Sequence, residues 1–428
     1  MTVKIDELKD SPKKTFRFKK FLKEQSVTIL FLVVCLISSY YSGYAPGSIV
    51  REIITRLARN GFLVLSLIIP VIAGMGLNFG IVIGAMAGQI AIFFVTHWGV
   101  SGVPGFFLCI AVATPLAIVF GILTGILFNK TKGQEMIAGM IAGFFTMGLY
   151  QFLFLVMMGT VIPVENKVLM ISGGVGVRNT IDLSRNRGIK YALDGILRLP
   201  FLQTIIVCSV LVAVVFAFLL VKSKSDKRFS IVSRKKMKTY IAFSIIIILS
   251  TILIYAVDSR RVAGLKLPMS TFIVIGILCI FNALIVKTKL GQDFRTVGQS
   301  MHIAKVSGIN VDRVRIIAVT ISIVLAAWGQ IIFLQNIGTL STYGSHVQIA
   351  TFSIAAILIG GASASRATSG QAILGVILFH TLFYVSPKAG NNLFGSAQIG
   401  EYFRAFVAYG IIGVSLGLHA WKKLTAKK

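Results

Sequence analysis

Residues 298–313 read GQSMHIAKVSGINVDR and form a short polar segment between long apolar runs. The apolar runs decide the fold class, since 56% of the 428 residues are hydrophobic and only 13% are charged. A soluble globule needs more polar surface than this composition provides. The runs are continuous rather than alternating, which favours membrane helices of about 20 residues over a β-barrel. The sequence therefore predicts an all-α polytopic membrane protein.

We expect about ten membrane-spanning helices, within a range of about 8 to 12, and an internal repeat. Glycine-rich sequence near residues 74–88 and 360–375 predicts that some of these helices are broken or re-entrant. The candidate spanning segments are residues 27–43, 61–77, 80–97, 105–128, 136–160, 199–221, 239–257, 269–286, 315–335, 348–365, 370–386 and 402–421.

Lys and Arg are concentrated in the gaps between the apolar runs, which accounts for most of the net charge of +29. The positive-inside rule places such gaps in the cytoplasm, so contact with membrane lipid is expected and nucleic acid is not. The basic segment 1–26 precedes a first apolar run without a small-residue cleavage site, which indicates a retained helix. Even numbers of apolar segments separate it from the basic loops 222–238 and 287–314 and from the tail 422–428. Both loops and both termini are therefore expected in the cytoplasm.

The same parity places residues 161–198 outside, as a long loop within the membrane domain 27–421. This loop carries acidic and basic residues together, and long loops obey the charge rule weakly. Two interpretations remain open at this point. The loop is either an ordered external cap that meets an extracytoplasmic partner or a merely solvated connection.

Two common motifs for chemistry are absent from the sequence. It contains no G-x-x-x-x-G-K-[ST] phosphate loop and no H-E-x-x-H pair. The spans offer no charged relay for an ion-driven carrier, because Glu135, Asp258 and Glu401 fall at predicted helix ends. The sequence therefore predicts neither an enzyme nor a metal site, and energy for transport is expected from another protein. The single cysteines are expected to pack in apolar surroundings, and they are Cys35, Cys109, Cys208 and Cys279.

Three motifs resemble those of inner-membrane permease subunits of bacterial ABC importers for monosaccharides, nucleosides and branched-chain amino acids. The first is the order Gly298, Ala304 and residues 307–311 (SGINV), followed by a basic residue and an apolar helix. The second is residues 76–89, and the third is residues 354–375, both rich in glycine. The resemblance extends over roughly residues 61–421, and the three motifs stand in the order that the family predicts.

The resemblance implies a transport subunit that carries no cofactor itself. It implies a separate ATPase that binds ATP and Mg, a second permease of the same or a related chain, and an extracytoplasmic substrate-binding protein. Residues 78–80 read Asn-Phe-Gly where sugar-type permeases often have Asp-Leu-Ser, which favours a nucleoside-like solute over a simple sugar. The alternative is a secondary carrier or facilitator that works alone on a small neutral solute.

The segment around Ala304 has its own physical interpretation. A short helix with Ile303, Val306 and Ile309 on an apolar face suits a groove in a cytoplasmic ATPase. An ordinary amphipathic turn at the membrane surface is the alternative. The residues that the resemblance and this pattern assign to ATPase coupling are Gly298, Ala304, Lys305, Ser307, Gly308, Ile309 and Val311.

Uncharged polar residues within apolar runs are candidates for the translocation path, with hydrogen bonding between helices as the alternative. The candidates are Asn78, Gln89, Gln151, Gln330 and His380. Glycines in the same regions either break helices or let helices pack closely, and both interpretations remain open. These glycines are Gly76, Gly80, Gly84, Gly360, Gly361 and Gly370.

Overall fold

The computed structural model describes residues 25–425 except for 165, 167–168, 172–175, 185–187 and 226–230. Its described part is mainly helical, which confirms the predicted all-α membrane class. Most of the basic segment 1–26 and part of the tail 422–428 lie outside the described residues. Part of the basic loop 222–238 lies outside them as well.

The elements of the first half of the chain run from α1 to β2. They are α1 (Ser26–Ser42), α2 (Pro46–Leu65), α3 (Ile68–Ile72), α4 (Ile81–His97), α5 (Gly102–Lys130), α6 (Glu135–Phe152) with a π-helical continuation (Leu153–Met157), β1 (Thr180–Asp182) and β2 (Arg198–Pro200).

The elements of the second half include the short helix within the polar segment. They are α7 (Phe201–Ser225), α8 (Ile231–Val257), α9 (Ser259–Ala263), β3 (Lys266–Pro268), α10 (Met269–Ile285), α11 (Lys289–Gln299), α12 (Met301–Val306), α13 (Val311–Ile337), β4 (Thr339–Ser341), α14 (Ile349–Ile359), α15 (Ser369–Phe394) and α16 (Ala397–Thr425).

The number of spanning helices is lower than the expected ten. Among the described residues, seven helices are long and apolar enough to cross a membrane, or eight if the pair α10 and α11, bent by 73°, is one span. Three apolar segments form helices of only 10–17 residues, namely α1, α4 and α14. All three are too short by the length criterion; glycine-rich turns bound α4 at its start and α14 at its end, whereas α1 begins next to residues that the structure does not describe.

One predicted span begins much earlier than expected. The segment 61–77 covers only the end of α2 and α3, whereas the spanning unit starts at Pro46. The part of α2 before Asn60 carries Arg51, Glu52, Arg56 and Arg59, which lower its hydropathy and hide it from a search for apolar runs.

Helix α13 is the central helix of the described bundle, and glycines let its neighbours approach it closely. A Cβ atom on Gly121 of α5 would lie 2.7 Å from the Thr320 Cα, and one on Gly88 of α4 would lie 2.6 Å from the Ala327 carbonyl oxygen. Gly84, one turn before Gly88, would likewise press on the backbone of α13. Small residues four positions apart are the usual device for close helix packing in membranes.

Two glycine-rich turns break the apolar helices. Between α3 and α4, Gly74 and Gly76 have φ values of +76° and +72°, which only glycine adopts without strain. Between α14 and α15, Gly361 has a φ of +88°. Both regions were predicted as broken or re-entrant helices, and the structure places a turn in each.

Two short antiparallel ladders fasten the loop 161–198 to the helices. Strand β1 pairs with β4, with Ile181 opposite Leu340, and β2 pairs with β3, with Leu199 opposite Leu267. The described part of this loop is therefore an ordered cap. It lies at the Ile337 end of α13, whereas α12 lies at the Val311 end.

Candidate functional site

A cavity of about 540 Å³ lies at the cap end of the bundle, and we call it the cap-side cavity. Helices α2, α13, α14 and α15 form its walls, and the paired segments around β1 and β4 cover it. Uncharged polar groups and two aromatic rings dominate the lining. The residues include Asn60, Thr180, Phe333, Ser341, Ser345, Gln348, Phe352, Ser353 and His380.

His380 is the predicted path residue that lines this cavity directly. Its side chain is buried on α15, and the Nδ1 atom has no hydrogen-bond partner within the described residues. The Phe379 and Phe383 rings lie next to the imidazole. An unpaired buried polar atom is costly, so His380 offers a hydrogen bond to whatever enters the cavity.

Gln89 and Gln330 lie together behind the cavity wall. The Gln330 amide nitrogen donates to the carbonyl oxygen of Ser345 at 3.3 Å, and Ser345 lines the cavity. The Gln89 Oε1 lies 2.9 Å from the Nδ1 of His346. The buried ring of Tyr150 contacts His346 at 4.8 Å between ring centroids.

This buried group of four, Gln89, Gln330, His346 and Tyr150, retains unused hydrogen-bonding atoms. The unpaired atoms within the described residues include Gln89 Nε2, Gln330 Oε1, His346 Nε2 and the Tyr150 hydroxyl. Burial lowers the pKa of His346, which lies on the loop between β4 and α14, to about 4. The imidazole is therefore neutral at neutral pH. His346 and Tyr150 were not predicted, because nothing local in the sequence marks them.

Asn78 and Gln151 do not line the cap-side cavity. The Asn78 side chain closes the turn before α4, accepting a hydrogen bond from the Gly80 backbone at 2.9 Å and donating one to Ser322 at 3.2 Å. Gln151 is exposed on α6. The structure therefore brings His380, Gln89 and Gln330 to one region and places the other two elsewhere.

A second cavity, of about 620 Å³, lies at the α12 end, and we call it the α12-side cavity. Ile68 and Ile72 of α3 line it, together with Arg295 and Arg366. The cap-side cavity uses residues of α2 just before α3 and residues of α14 and α15. Both cavities therefore follow the crevice between the α2–α3 unit and the α14–α15 unit, with the packed cores of these helices between them.

The glycines at the third motif occupy the turn beside the α12-side cavity. The Gly361 carbonyl oxygen accepts a hydrogen bond of 2.7 Å from the Gln371 side chain. Gly360 packs directly against the backbone of Gln371, whereas a Cβ atom on Gly370, at the start of α15, would meet nothing within 4 Å. A Cβ atom added to Gly80 would lie 2.8 Å from the Asn78 Oδ1.

Helix α12 is a short, capped helix, as the sequence pattern predicts. The Ser300 hydroxyl accepts a hydrogen bond from the Ile303 backbone at its start. Gly308 ends the helix with a φ of +78°, and the Ile309 amide returns to the Ala304 carbonyl at 3.0 Å. Only glycine adopts this left-handed conformation easily.

The exposed face of α12 is apolar. Ile303 is 60% exposed and Val306 77% exposed, whereas Ala304 is fully buried against its own chain. The small side chain of Ala304 therefore seats α12 on the rest of this protein. Of the other predicted coupling residues, Lys305, Ser307 and Gly308 are exposed, Ile309 is half-buried, and Val311 is buried.

Gly298 lies on α11 rather than on α12, and it touches the first helix break. A Cβ atom on Gly74 would lie 2.6 Å from the Gly298 Cα, and Gly298 itself packs against the Ile72 carbonyl oxygen. The segment that leads into α12 is thus in backbone contact with the turn between α3 and α4.

A buried ion pair lies beside the first residue of α12. Arg315 donates to Glu135 at 2.6 Å, and it also donates to the Asn129 side chain and the Phe128 carbonyl oxygen, each at 2.9 Å. Its third nitrogen lies 3.5 Å from the Met301 sulfur. Sequence reasoning placed Glu135 at a helix end but gave it no partner. The sequence offers one signal for this pairing, because both charges stand at ends of apolar runs on the same predicted side of the membrane.

Broken apolar helices around a polar crevice, with an exposed short helix at one end, define a membrane permease. Residues 49–415 match the family model described as branched-chain amino acid transport system / permease component. The chain belongs to this family, which comprises permease subunits of ABC importers.

One curated relative shares most of its length with the chain. The xylose transport system permease protein XylH of Haemophilus influenzae is 24% identical over 386 residues, which cover 88% of this chain and 92% of that protein. No solved structure matches the chain.

Proposed function

We propose that this chain forms the translocation path of an ABC importer for a small, neutral, hydroxylated solute, with a monosaccharide first and a nucleoside second. The observation that carries the proposal is the cap-side cavity. Among the residues that the structure describes, its lining contains hydroxyl, amide and imidazole groups beside Phe333 and Phe352, and no Asp, Glu, Lys or Arg. Such a mixture suits a solute with hydroxyl groups on its edges and apolar faces.

The absence of charge in this lining weighs against a zwitterionic amino acid as the solute. A carboxylate and an ammonium group each need a charged or strongly polar partner when they leave water. The printed name of the relative refers to xylose, which supports a sugar. The departure at residues 78–80 had favoured a nucleoside, but Asn78 closes a turn and lies away from the cavity lining.

The two cavities support a path that opens alternately to either side. They follow one crevice, and the apolar core of α2–α3 and α14–α15 separates them. Opening one end while the other closes requires these two units to move relative to each other. We propose that the cap-side cavity faces the outside and the α12-side cavity the cytoplasm, as the charge pattern predicts.

Energy for this movement would come from a separate ATPase that binds ATP and Mg, docked on the exposed face of α12. Ile303 and Val306 offer the apolar contact, and Lys305 lies beside them for an acidic rim. Movement of α12 would reach the helix break through Gly298 and Gly74, and would reach α5 and α6 through Arg315 and Glu135. A second permease, and an extracytoplasmic substrate-binding protein on the cap, would complete the importer in the bacterial cytoplasmic membrane.

The first experiment is affinity purification of the tagged chain from native membranes, with the partners identified by mass spectrometry. The complex is then placed in vesicles, and uptake of labelled xylose, ribose, adenosine and leucine is measured with and without ATP. ATP-dependent uptake of a sugar or nucleoside by a complex that contains a P-loop ATPase supports the proposal. Uptake by the chain alone, without ATP, favours a stand-alone carrier.

A further inference from the structure

An apolar groove of about 710 Å³ runs along the surface formed by α5, α10 and α13. Phe107, Ile277 and Trp328 are among the residues that line it. Along α13 the groove extends from Thr320 to Ile332, which corresponds to about 18 Å at the rise of an α-helix. This length is close to the depth of one leaflet, which is about half of a hydrocarbon core of roughly 30 Å.

A basic pocket of about 320 Å³ lies at the cap end of the same helices. Its one acidic member, Asp194, already accepts hydrogen bonds from the Thr271 hydroxyl and from the Asn336 amide, the latter at 2.6 Å. The cations that line the pocket are Arg51, Arg59, Arg198, Arg261 and Lys266.

Positive charge exceeds negative charge in this pocket, since five cations and only Asp194 line its described part, with Glu52 acting on Arg59 from nearby. Within the described residues, only Arg261 of these five cations has a carboxylate partner, Asp258 at 3.4 Å. Arg59 donates to the neutral Asn336 side chain at 2.9 Å. Arg198 donates to the Asp194 backbone carbonyl and stacks over the Tyr191 ring at 4.9 Å. The pocket is therefore ready to receive an anion.

The groove and the basic pocket meet on three elements. On α13, Ile332 lines the groove and Asn336, one turn later, lines the pocket. In the cap, Leu193 lines the groove and Asp194 lines the pocket. On α2, Phe62 lines the groove and Arg59 lines the pocket. Because α10 begins and α13 ends at this level, the pocket lies where the apolar part of the bundle gives way to the cap.

We propose that the groove and the pocket together form a binding site for an anionic glycerophospholipid. One acyl chain lies along the groove, and the phosphate of the headgroup lies in the basic pocket. Charge complementarity selects this occupant, since a zwitterionic lipid would bring an ammonium group close to these cations. A free anion would occupy the pocket without using the groove. The inference does not depend on which solute the chain transports or on how transport is driven.

The test is native mass spectrometry of the full-length, delipidated protein titrated with phosphatidylglycerol or with phosphatidylcholine of the same acyl chains. We expect clear preference for phosphatidylglycerol. Lys266→Gln is expected to weaken its binding about fivefold, the usual contribution of one basic residue near an anionic surface. Arg260→Gln is the matched control, because Arg260 is exposed next to Arg261 and does not line the pocket. It is expected to leave binding unchanged.

A variant in the groove separates a lipid from a free anion. Val324→Trp places a large ring in the groove, far from the cations. It is expected to weaken phosphatidylglycerol binding and to leave the binding of inorganic phosphate unchanged. Equal binding of the two lipids, unchanged phosphatidylglycerol binding in Lys266→Gln, or unchanged phosphatidylglycerol binding in Val324→Trp would each overturn the proposal. Thermal unfolding of each variant verifies that it is folded.

Discussion

Gly298 of α11 and Gly74 of the first helix break meet backbone to backbone, so close that a Cβ atom on Gly74 would lie 2.6 Å from the Gly298 Cα. These residues are more than two hundred positions apart in the sequence. The contact joins the segment that leads into α12 to the turn that divides α3 from α4. Neither position can accept a side chain without moving one of the two segments.

Gly298→Ala is therefore expected to lower stability by roughly 3 kcal/mol or to displace α11, since the added methyl group meets backbone atoms that cannot rotate away. Thermal unfolding and ATP-dependent uptake measure the two effects. Gly276→Ala on α10 is the control, because nothing lies within 4 Å of its added Cβ atom. A Gly298→Ala protein with normal stability and normal uptake would contradict the proposed link.

Glu135→Gln leaves the buried guanidinium of Arg315 without its carboxylate partner. Breaking a buried pair by removing one member typically costs about 3–5 kcal/mol, so a large fall in thermal stability is expected. Removing both charges, in Glu135→Gln with Arg315→Met, is expected to cost less than the sum of the two single changes. A strictly additive double variant would show that the pair does not act as a unit.

Val306→Asp places a charge on the most exposed apolar side chain of α12. We expect the folded protein to lose its ATPase partner during purification. Its thermal stability should change little, because the Val306 side chain is not buried in the folded protein. Val161→Asp, at an exposed apolar position in the cap, is the matched control and should retain the ATPase. Retention of the ATPase by both variants would remove α12 as its docking site.

His380→Phe removes the imidazole from the wall of the cap-side cavity and keeps the side chain large. The apparent KM for the solute is expected to rise about tenfold, because one hydrogen bond in a buried site contributes about that factor. Gln151→Leu should leave uptake unchanged, since Gln151 is exposed on α6. The comparison is made in vesicles at equal amounts of inserted protein. Equal KM values in the two variants would place the path elsewhere.

Acid is expected to destabilise the fold through His346. Burial lowers its pKa to about 4 from an ordinary value of 6.5, so below pH 6.5 the unfolded chain binds a proton that the folded chain does not. The contribution of His346 to the free energy of unfolding is complete above pH 6.5, and it falls by up to about 3 kcal/mol as the pH drops to 4. Unfolding of His346→Gln at several pH values should show a weaker dependence in this window than the unmodified protein.

Features that depend on local sequence were predicted well. Composition gave the helical membrane class, the glycine-rich regions near Gly76 and Gly361 were predicted as broken helices, and the pattern around Ala304 predicted a short helix. The two interpretations of the glycines turn out to apply to different residues. Gly84 packs against α13, whereas Gly76 and Gly361 adopt positive φ in turns.

Features that depend on contacts between distant segments were not predicted. The pairing of Arg315 with Glu135 joins residues 180 positions apart, and the contact of His346 with Gln89 spans 257 positions. No local pattern encodes such distances. Among the described residues the number of spans, seven or eight, lies at the lower edge of the predicted range of about 8 to 12, because hydropathy cannot tell a short buried helix such as α14 from one that crosses the membrane.

Helix α13 is bordered on two sides by glycines, Gly84 and Gly88 of α4 and Gly121 and Gly125 of α5, which offer it backbone instead of protruding side chains. Its ends carry Arg315 beside α12 and Asn336 beside the cap. We therefore expect a partner on the cap and an ATPase on α12 to influence each other through this one helix, and thermodynamic linkage makes such an influence reciprocal.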